Sequence, residues 1–592
     1  MMLVQQTWLF VLLTLSFVPS NTEDVIINTK YGKVLGLAQT LASAQGPARK
    51  INKFLGIPYA QQPIGDLRFK PPQPLKPWKE KIYNATSFGN ICVQSKLYFE
   101  FLKSSIRRTW PDFSKKNMRE DCLNLNIYTP AWPDISDSVQ TRKAYPVLFY
   151  IHGGSYYLGT PNRVKTPGEI APQYGIVLVT IHYRLGVLGF LTTGDVEAPG
   201  NAGMLDQIQA LRWVKENIAG FGGDPNQITL VGNSAGASSV GLHLLSPLTK
   251  GLFQKAIMES GTELSPFAVN PLKTAIAKSK NVAKNLLCDT EDHVRMVKCL
   301  QTKDAEDLAF YYDPFPAPHV DNYFLLDTPR NLRKEGKFQP LPLMLGFTKH
   351  DGFHMISDLE LPDQLTPSYF RKGIERALQK FMKIHDPMTA VRLADAIEFT
   401  YQPWAKTTDP DELYKALVAL CTDIFIVAPT MESANFHSEY SATYLFEYSH
   451  ISNNSRLKWA THSSNADYTF GAPIHNATHI AYTKEDRNVS HLLLQLYSNF
   501  LKFGDPTPQP VQGITWERYS QRQGDYLKVQ ARPQIADKYE PRRVALWNYY
   551  IPKIRNFSCQ HNATEKPQKS SASVNTAFNV IIFICASLIM IP

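Results

Sequence analysis

The chain has 592 residues, of which 44% are apolar and 11% aromatic, so it can bury a large core. Its formal net charge is +10, but the basic residues are scattered and no basic block alternates with aromatic side chains. We therefore expect no nucleic-acid partner. No linker or internal repeat interrupts residues 25–555, which favours one large globular unit.

Residues 1–20 have the pattern of a secretory signal peptide. An apolar run at residues 8–13 is followed by Val18-Pro19-Ser20, which places small residues where signal peptidase cleaves. A membrane anchor is the alternative, but the run is shorter than the roughly 20 residues of a spanning helix. The pattern predicts a secreted, extracellular mature chain.

The first motif with chemical content follows a predicted buried strand at residues 146–151. It reads His152-Gly153-Gly154-Ser155. Lipases and esterases have an HGGG-type turn at this place, and its backbone N–H groups help to bind the oxyanion that develops during acyl transfer. A further strand at residues 176–181 and a helical stretch at 206–217 give the alternation of a largely parallel α/β sheet.

A second motif, Gly232-Asn233-Ser234-Ala235-Gly236, is a G-x-S-x-G pentapeptide. A β-branched strand at residues 227–231 precedes it and a predicted helix at 237–245 follows it. A strand, a sharp turn and a helix expose a serine hydroxyl as a nucleophile. The alternative is a tight structural turn of small residues. We predict that Ser234 is the nucleophile, and that the oxyanion hole consists of Gly153, Gly154, Ser155 and Ala235.

The C-terminus resembles a lipid-anchor signal. Small residues at 570–573 lead through a short spacer into an almost wholly apolar tail at 577–592. This is the order that a glycolipid (GPI) transamidase recognises, although the spacer is shorter than the usual roughly 8–12 residues. The alternatives are a terminal membrane helix and a soluble apolar terminus. We predict an anchor signal at 571–592 that attaches a single domain, residues 21–570, to the cell surface.

Several segments in chain order resemble the type-B carboxylesterase/lipase family, which includes carboxylesterases, cholinesterases and the non-enzymatic neuroligins. They are residues 54–60 (FLGIPYA), 120–126 (EDCLNLN), 183–186 (YRLG), 221–225 (FGGDP) and 504–506 (GDP). The resemblance covers residues 25–552. It implies an α/β-hydrolase fold, with a large, mostly parallel central sheet flanked by helices.

The resemblance also implies the two partners of Ser234. The family's acid lies in a segment like residues 346–352 and falls on Asp351, and its histidine opens a segment like 462–471 and falls on His462. The order serine, acid, histidine is that of α/β-hydrolases. His462 would accept the Ser234 proton and later protonate the leaving alkoxide, while Asp351 would orient the ring. We expect neither a cofactor nor a metal.

Seven cysteines in a secreted chain raise the question of disulfide pairing. By resemblance to the family, Cys92 pairs with Cys122 and Cys288 with Cys299. Cys421 and Cys559 form a third pair or remain free thiols, and Cys585 lies in the apolar tail. Six Asn-x-Ser/Thr sequons fit the same secretory route. They are Asn84, Asn453, Asn476, Asn488, Asn556 and Asn562.

Four positions depart from the family's usual pattern and bear on the substrate. Asp351 replaces a glutamate, Ser155 replaces the third glycine of the oxyanion turn, and residues 463–465 carry fewer acidic side chains. Asn233 replaces the glutamate that adds negative charge beside the nucleophile in cholinesterases, which argues against a cationic choline ester. Trp110 matches the choline-binding tryptophan of those enzymes poorly, and Phe267 and Tyr312 fall near acyl-pocket positions.

We therefore predict a carboxylic ester hydrolase that acts on small to medium small-molecule esters through an acyl-enzyme. A cholinesterase-like enzyme is one alternative. A catalytically weak or non-catalytic, neuroligin-like surface binding protein is another, favoured by the anchor and by Ser155. A lipase whose mouth is covered by residues 95–114 and 362–382 is a third. The helical run at residues 492–503 permits a homodimer.

Overall fold

The computed structural model describes residues 22–41, 49–95, 117–131, 144–162, 168–311, 317–455, 457–475 and 481–555. The predicted signal peptide and anchor signal lie outside the described residues. So do Trp110, Tyr312, Cys559 and the sequons at Asn476, Asn556 and Asn562.

The strands of the described residues are β1 (Thr22–Thr29), β2 (Gly32–Leu41), β3 (Arg49–Pro58), β4 (Lys79–Asn84), β5 (Ile91–Cys92), β6 (Met118–Arg119), β7 (Asn124–Pro130), β8 (Tyr145–Ile151), β9 (Val177–Ile181), β10 (Gly223–Asn233), β11 (Lys255–Glu259), β12 (Leu343–Thr348), β13 (Thr443–Tyr448), β14 (Tyr526–Val529) and β15 (Gln534–Ala536).

The α-helices are α1 (Gly186–Phe190), α2 (Ala202–Asn217), α3 (Ala235–Leu245), α4 (Leu272–Asn285), α5 (His293–Gln301), α6 (Ala305–Phe310), α7 (Pro329–Lys334), α8 (Pro367–Lys380), α9 (Pro387–Tyr401), α10 (Pro410–Thr422), α11 (Ala428–Ser438), α12 (Ala466–Thr469), α13 (Lys484–Phe503) and α14 (Pro541–Ala545).

One large sheet forms the centre of the protein, with the strand order β1-β2-β3-β7-β9-β8-β10-β11-β12-β13-β14-β15 and with β4 beside β2. From β9 to β14 every neighbouring pair is parallel. The neighbouring pairs from β1 to β9 and the pair β14–β15 are antiparallel. The parallel centre, covered by helices, confirms the predicted α/β-hydrolase fold, and the antiparallel strands at both ends make the sheet mixed.

The central strands bury both of their faces, because successive side chains of a strand point to opposite sides. In β8, Phe149 and Ile151 enter the core that contains side chains of α2 and α3. Leu148 and Tyr150 enter the core that contains side chains of α13. Strands covered on both faces have nearly continuous apolar sequences. This is why residues 146–151 could be predicted as a central strand.

Helix α13 corrects one expectation from the sequence. Leu492, Leu496 and Phe500, which lie in the run that was considered for a dimer contact, are at most 1% exposed. They pack against the sheet together with residues of the central strands. The apolar face of residues 492–503 therefore fills the core and is not available to a partner.

A third apolar core joins α8, α9 and α10 to the helical turn Leu546–Tyr550 that follows α14. Helix α10 continues through Asp423–Val427 into α11, so that Pro410–Ser438 is one helix in the described part of the chain. This helix is long and apolar enough to cross a membrane, but 83% of its apolar window is buried inside the protein. It is therefore a core helix.

Candidate active site

Ser234 lies in the turn between β10 and α3, with φ 58° and ψ −127°. Such a conformation is strained for a residue with a side chain and persists only where its surroundings enforce it. The flanking glycines are needed sterically. A Cβ on Gly232 would lie 2.2 Å from the Gly236 carbonyl oxygen, and a Cβ on Gly236 would lie 2.1 Å from that of Ile151. The pentapeptide thus forms the sharp strand-to-helix turn that was predicted for it.

His462 and Asp351 are brought together beside this turn. His462 Nδ1 and Asp351 Oδ1 are 2.7 Å apart, and the Thr348 N–H donates to Asp351 Oδ2 at 2.7 Å. The Asp351 side chain is fully buried, whereas that of His462 is 20% exposed. The aspartate, although one methylene shorter than glutamate, reaches full hydrogen-bond contact with the ring. Because Nδ1 faces the carboxylate, Nε2 remains for proton transfer.

The serine and the histidine are linked through the residues next to them. Ser463 Oγ donates a hydrogen bond to Asn233 Oδ1. Ser463 itself has φ 63°, in the left-handed region. Within the described residues no hydrogen bond joins Ser234 Oγ to His462 directly. In enzymes without substrate this bond is often long and tightens only when substrate binds. Both side chains are half-buried, so a ligand can reach them.

The predicted oxyanion turn lies against the serine. A Cβ on Gly153 would come within 2.9 Å of Ser234 Cβ, and Gly154 has φ 117°, which side chains rarely tolerate. Ser155 follows with φ 52° and is half-buried. In the described part of the chain, the N–H groups of Gly153, Gly154, Ser155 and Ala235 have no acceptor within the protein. They remain available to a substrate oxygen.

A buried aromatic pair supports this turn, and the sequence did not indicate it. The His152 ring stacks on Tyr183 with centroids 4.6 Å apart and an interplanar angle of 23°. The Tyr183 hydroxyl donates to the His152 carbonyl oxygen at 2.9 Å. His152 Nδ1 is 2.8 Å from the Gly153 oxygen. These contacts hold the backbone of the turn in place, so His152 has a supporting role in the turn.

Among the described residues there are two disulfides, Cys92–Cys122 and Cys288–Cys299, which are the pairs implied by the family resemblance. Cys421 is a buried free thiol. Burial raises the pKa of the Cys421 thiol, so it stays protonated at neutral pH.

Three of the six sequons fall in described residues. Asn84 and Asn453 are exposed outside helices. Asn488 is exposed on α13, but Ser490 of the same sequon is buried and donates to the Tyr468 carbonyl oxygen at 2.7 Å. Because that sequon belongs to a packed helix, Asn84 and Asn453 are the better candidates for glycosylation.

The model of the carboxylesterase family matches residues 23–547. The chain belongs to the carboxylesterase family. Among its relatives, neuroligin-3 of Mus musculus is 34% identical over 602 residues, which cover 92% of this chain and 71% of that protein. Neuroligin-2 of Homo sapiens is 34% identical over 587 residues, which cover 90% of this chain and 68% of that protein. The predicted family resemblance is confirmed, and these relatives come from its neuroligin branch.

Phe267 and Glu259 are two further residues that lie near the site or in the core beside it. Phe267, predicted near the acyl pocket, is partly buried and packs against the main core. Glu259, which no motif indicated, is buried directly behind Ser234, whose N–H donates to the Glu259 carbonyl oxygen at 2.8 Å. A glutamate at the end of an apolar strand carries no periodic signal, so sequence patterns alone could not find it.

Proposed function

We propose that this carboxylesterase-family protein is a serine esterase that hydrolyses small to medium carboxylic esters. The observation that carries the proposal is the strained Ser234 turn beside an oriented His462–Asp351 pair. Such strain persists at functional sites because it serves the chemistry there. A surface protein without catalytic function would need neither a strained serine turn nor a buried carboxylate that holds a histidine ring.

In the acylation half of the proposed reaction, Ser234 Oγ attacks the ester carbonyl carbon while His462 Nε2 takes the hydroxyl proton. The carbonyl oxygen becomes negatively charged and accepts hydrogen bonds from the free N–H groups of the Gly153–Ser155 turn and Ala235. Asp351 stabilises the imidazolium that forms. Collapse of the tetrahedral intermediate breaks the bond to the alkoxide, which leaves as an alcohol with the proton from His462.

In the deacylation half, water attacks the acyl carbon of the Ser234 ester and gives its proton to His462. The same N–H groups bind the second oxyanion. Its collapse releases the carboxylic acid and returns the proton from His462 to Ser234 Oγ. Each group ends in its starting state, and the net reaction adds one water to one ester.

The side chain beside the nucleophile favours neutral esters. Asn233 is 4% exposed, and its amide oxygen accepts from Ser463 Oγ, so this position places no negative charge beside Ser234. A quaternary ammonium substrate would therefore lack an electrostatic partner at this point. We propose uncharged small to medium esters as the substrate class.

The test compares the purified ectodomain with its Ser234→Ala variant, using a fluorophosphonate probe and p-nitrophenyl acetate and butyrate. Ser357→Ala, at an exposed serine, is the matched control. We expect labelling and hydrolysis in the unaltered protein and in Ser357→Ala, and neither in Ser234→Ala. Equal activity with and without Ser234 would contradict the proposal. Acetylthiocholine, run in parallel, tests the cholinesterase alternative.

A second candidate function is a neuroligin-like, non-catalytic protein that binds a protein partner at the cell surface. The observation that favours it is the 34% identity to neuroligin-3 and neuroligin-2 across about nine-tenths of the chain. The comparisons favour this function, whereas the geometry of the Ser234 site favours the esterase. Intact, folded ectodomain that shows no Ser234-dependent labelling at any pH from 6 to 9 would decide for the binding protein.

We further propose that the protein is extracellular and attached to the cell surface through its C-terminal lipid anchor. Two disulfides support an oxidising secretory route. Treatment of expressing cells with phosphatidylinositol-specific phospholipase C should release the protein into the medium. Retention on the cells would indicate a membrane-spanning tail instead.

A homodimer would fit an apolar surface formed by α9 and the helical residues 546–555 that follow α14. Phe399 on α9 is 72% exposed, and Tyr549 and Tyr550 opposite it are 50% and 52% exposed. Two helices from each copy would then form a four-helix contact. Light scattering should show a dimer for the unaltered ectodomain and a monomer for Phe399→Glu. A monomer in both proteins would contradict the assignment.

A further inference from the structure

A second buried carboxyl group lies behind Ser234 and has no role in the proposed chemistry. Glu259 is 1% exposed and pairs in register with Asn233, where β11 runs beside β10. Its carbonyl oxygen accepts the Ser234 N–H at 2.8 Å. The backbone of Glu259 therefore holds the strand that carries the nucleophile.

The side chain of Glu259 reaches the other half of the site. Its Oε1 accepts hydrogen bonds from the Tyr497 hydroxyl on α13 and from Thr469 Oγ1 on α12, the latter at 3.2 Å. Helix α12 lies in the segment that begins with His462. Glu259 thus connects the two halves of the site: its backbone oxygen bonds the nucleophile turn, and its carboxyl group bonds the histidine segment.

Three buried polar atoms around this carboxyl have no hydrogen-bond partner among the described residues. They are Glu259 Oε2, Asn233 Nδ2 and Asn465 Oδ1. Both asparagine side chains face the Glu259 carboxyl. Within the described residues no cation pairs with Glu259, so an ionised carboxylate at this position would be a buried and unpaired charge, which is costly. A proton on the carboxyl group removes that charge.

Three residues with a strained backbone lie next to the groups described above. Ser234, Ser260 and Ser463 have φ of 58°, 52° and 63°, and they directly follow Asn233, Glu259 and His462. Backbone strain of this kind persists only when the surrounding contacts over-determine it. The contacts of Glu259 and Asn233 are the side-chain hydrogen bonds that tie these turns together.

We propose that Glu259 is a positioning residue of the esterase site, and that it joins the nucleophile turn to the histidine segment as a neutral carboxylic acid. The inference rests on the proposed esterase function. It assigns no contact between Glu259 and the substrate. Ionisation places an unpaired negative charge behind the turn, so the alignment of Ser234 with His462 depends on this proton.

The direction of the Glu259 pKa shift agrees with a buried, neutral side chain. Burial raises the pKa of Glu259 to about 7, and the hydrogen bonds from Tyr497 and Thr469 lower it in part. Burial also raises the pKa of Tyr497 well above its usual value, so that phenol stays neutral. Tyr150 on β8 adjoins Tyr497, and Gly346 of β12 pairs with Glu259 on its other side. The groups that face the carboxyl from β10 and α12 are uncharged amide and hydroxyl side chains.

The test uses Glu259→Gln, which keeps a donor and an acceptor without a charge, and Glu259→Ala, which removes both. We expect Glu259→Gln to keep kcat within about threefold at pH 7. Glu259→Ala should lose about 10- to 100-fold in kcat with little change in KM, because misalignment affects the chemical step. The control is Glu447→Gln, at a second buried glutamate, which is 2% exposed on β13 and pairs with Lys528.

The pH profile separates positioning from a general structural role. Because a protonated Glu259 carries no charge, Glu259→Gln should keep the acid limb of kcat/KM, and above about pH 7 it should keep the activity that the unaltered protein loses as Glu259 ionises. Glu447→Gln should keep the unaltered profile. A profile of Glu259→Gln identical to that of the unaltered protein, or full kcat in Glu259→Ala, would overturn the proposal.

A failure of the esterase function would be recognised separately, because the unaltered protein would then show no Ser234-dependent labelling. In that case the positioning role is refuted with it. The protonation of Glu259 can still be tested by measuring melting temperatures between pH 4.5 and 8, because this measurement does not depend on activity. The unaltered protein should lose stability with rising pH relative to Glu259→Gln, and parallel curves would refute a neutral Glu259.

Discussion

Replacing Asp351 with asparagine tests how the site orients its histidine. The two carboxylate oxygens accept from two different donors, His462 Nδ1 and the Thr348 N–H, each at 2.7 Å. An amide has only one acceptor atom, so one of these donors must face an NH₂ group. Because the Asp351 side chain is fully buried, water cannot replace the lost acceptor.

The size of the effect follows from that burial. Removing one partner of a buried charged pair costs about 3–5 kcal/mol. In the transition state, where His462 becomes a cation, this corresponds to about 10²–10⁴-fold in kcat at 1.36 kcal/mol per tenfold. The Asp351→Asn variant should therefore lose at least about 100-fold in kcat for p-nitrophenyl acetate, with a smaller change in KM.

The matched control is Asp423→Asn. Asp423 is also buried, with a side chain that is 2% exposed, but its partners are Arg543 and Tyr401, and among the described residues it bonds neither Ser234 nor His462. Both variants should lose stability, whereas only Asp351→Asn should lose kcat and react slowly with fluorophosphonate. If Asp351→Asn stays within tenfold of the unaltered enzyme while Ser234→Ala is inactive, Asp351 does not orient the base.

Three further predictions follow from the structure. Gly154→Ala should lose about 10²–10³-fold in kcat, measured with p-nitrophenyl esters, because φ 117° excludes a side chain and the turn must move. The pKa of Glu259 is raised from 4.5 to about 7, so its contribution to stability is complete below pH 4.5 and is lost as pH rises to 7. Glu259→Gln should remove about 3 kcal/mol of this pH dependence, measured by denaturant unfolding from pH 4.5 to 8. Removing the Cys288–Cys299 disulfide, which spans 11 residues, should cost about 2–3 kcal/mol and lower the melting temperature measured by circular dichroism.

Local sequence was sufficient to predict those parts of the site whose structure is determined by backbone sterics. The turn at Ser234 needs small neighbours, and Gly232 and Gly236 record that need in the sequence. Central strands such as β8 are apolar on both faces, which gives them a continuous apolar run. Asp351 and His462 carry no such signal and could be chosen only through the family resemblance.

Other features depend on tertiary packing and left no readable pattern. The run at residues 492–503 is amphipathic, and its apolar face could equally meet a partner or the sheet; the structure places it on the sheet. The antiparallel strands at the sheet ends are set by pairing between distant segments. The sequence could not identify Glu259 for the same reason. Its partners come from α12, α13 and β10, which are distant in the sequence and meet only in the folded protein.

We propose Ser234 as an active nucleophile in a protein that shares its family with the neuroligins. The most direct test is fluorophosphonate labelling of the purified ectodomain, followed by mass spectrometry of the peptide that contains the modified residue. We predict one adduct, on Ser234, that is absent after heat denaturation and absent in Ser234→Ala. An unlabelled native protein, or an adduct on another residue, would contradict the claim and favour a binding function.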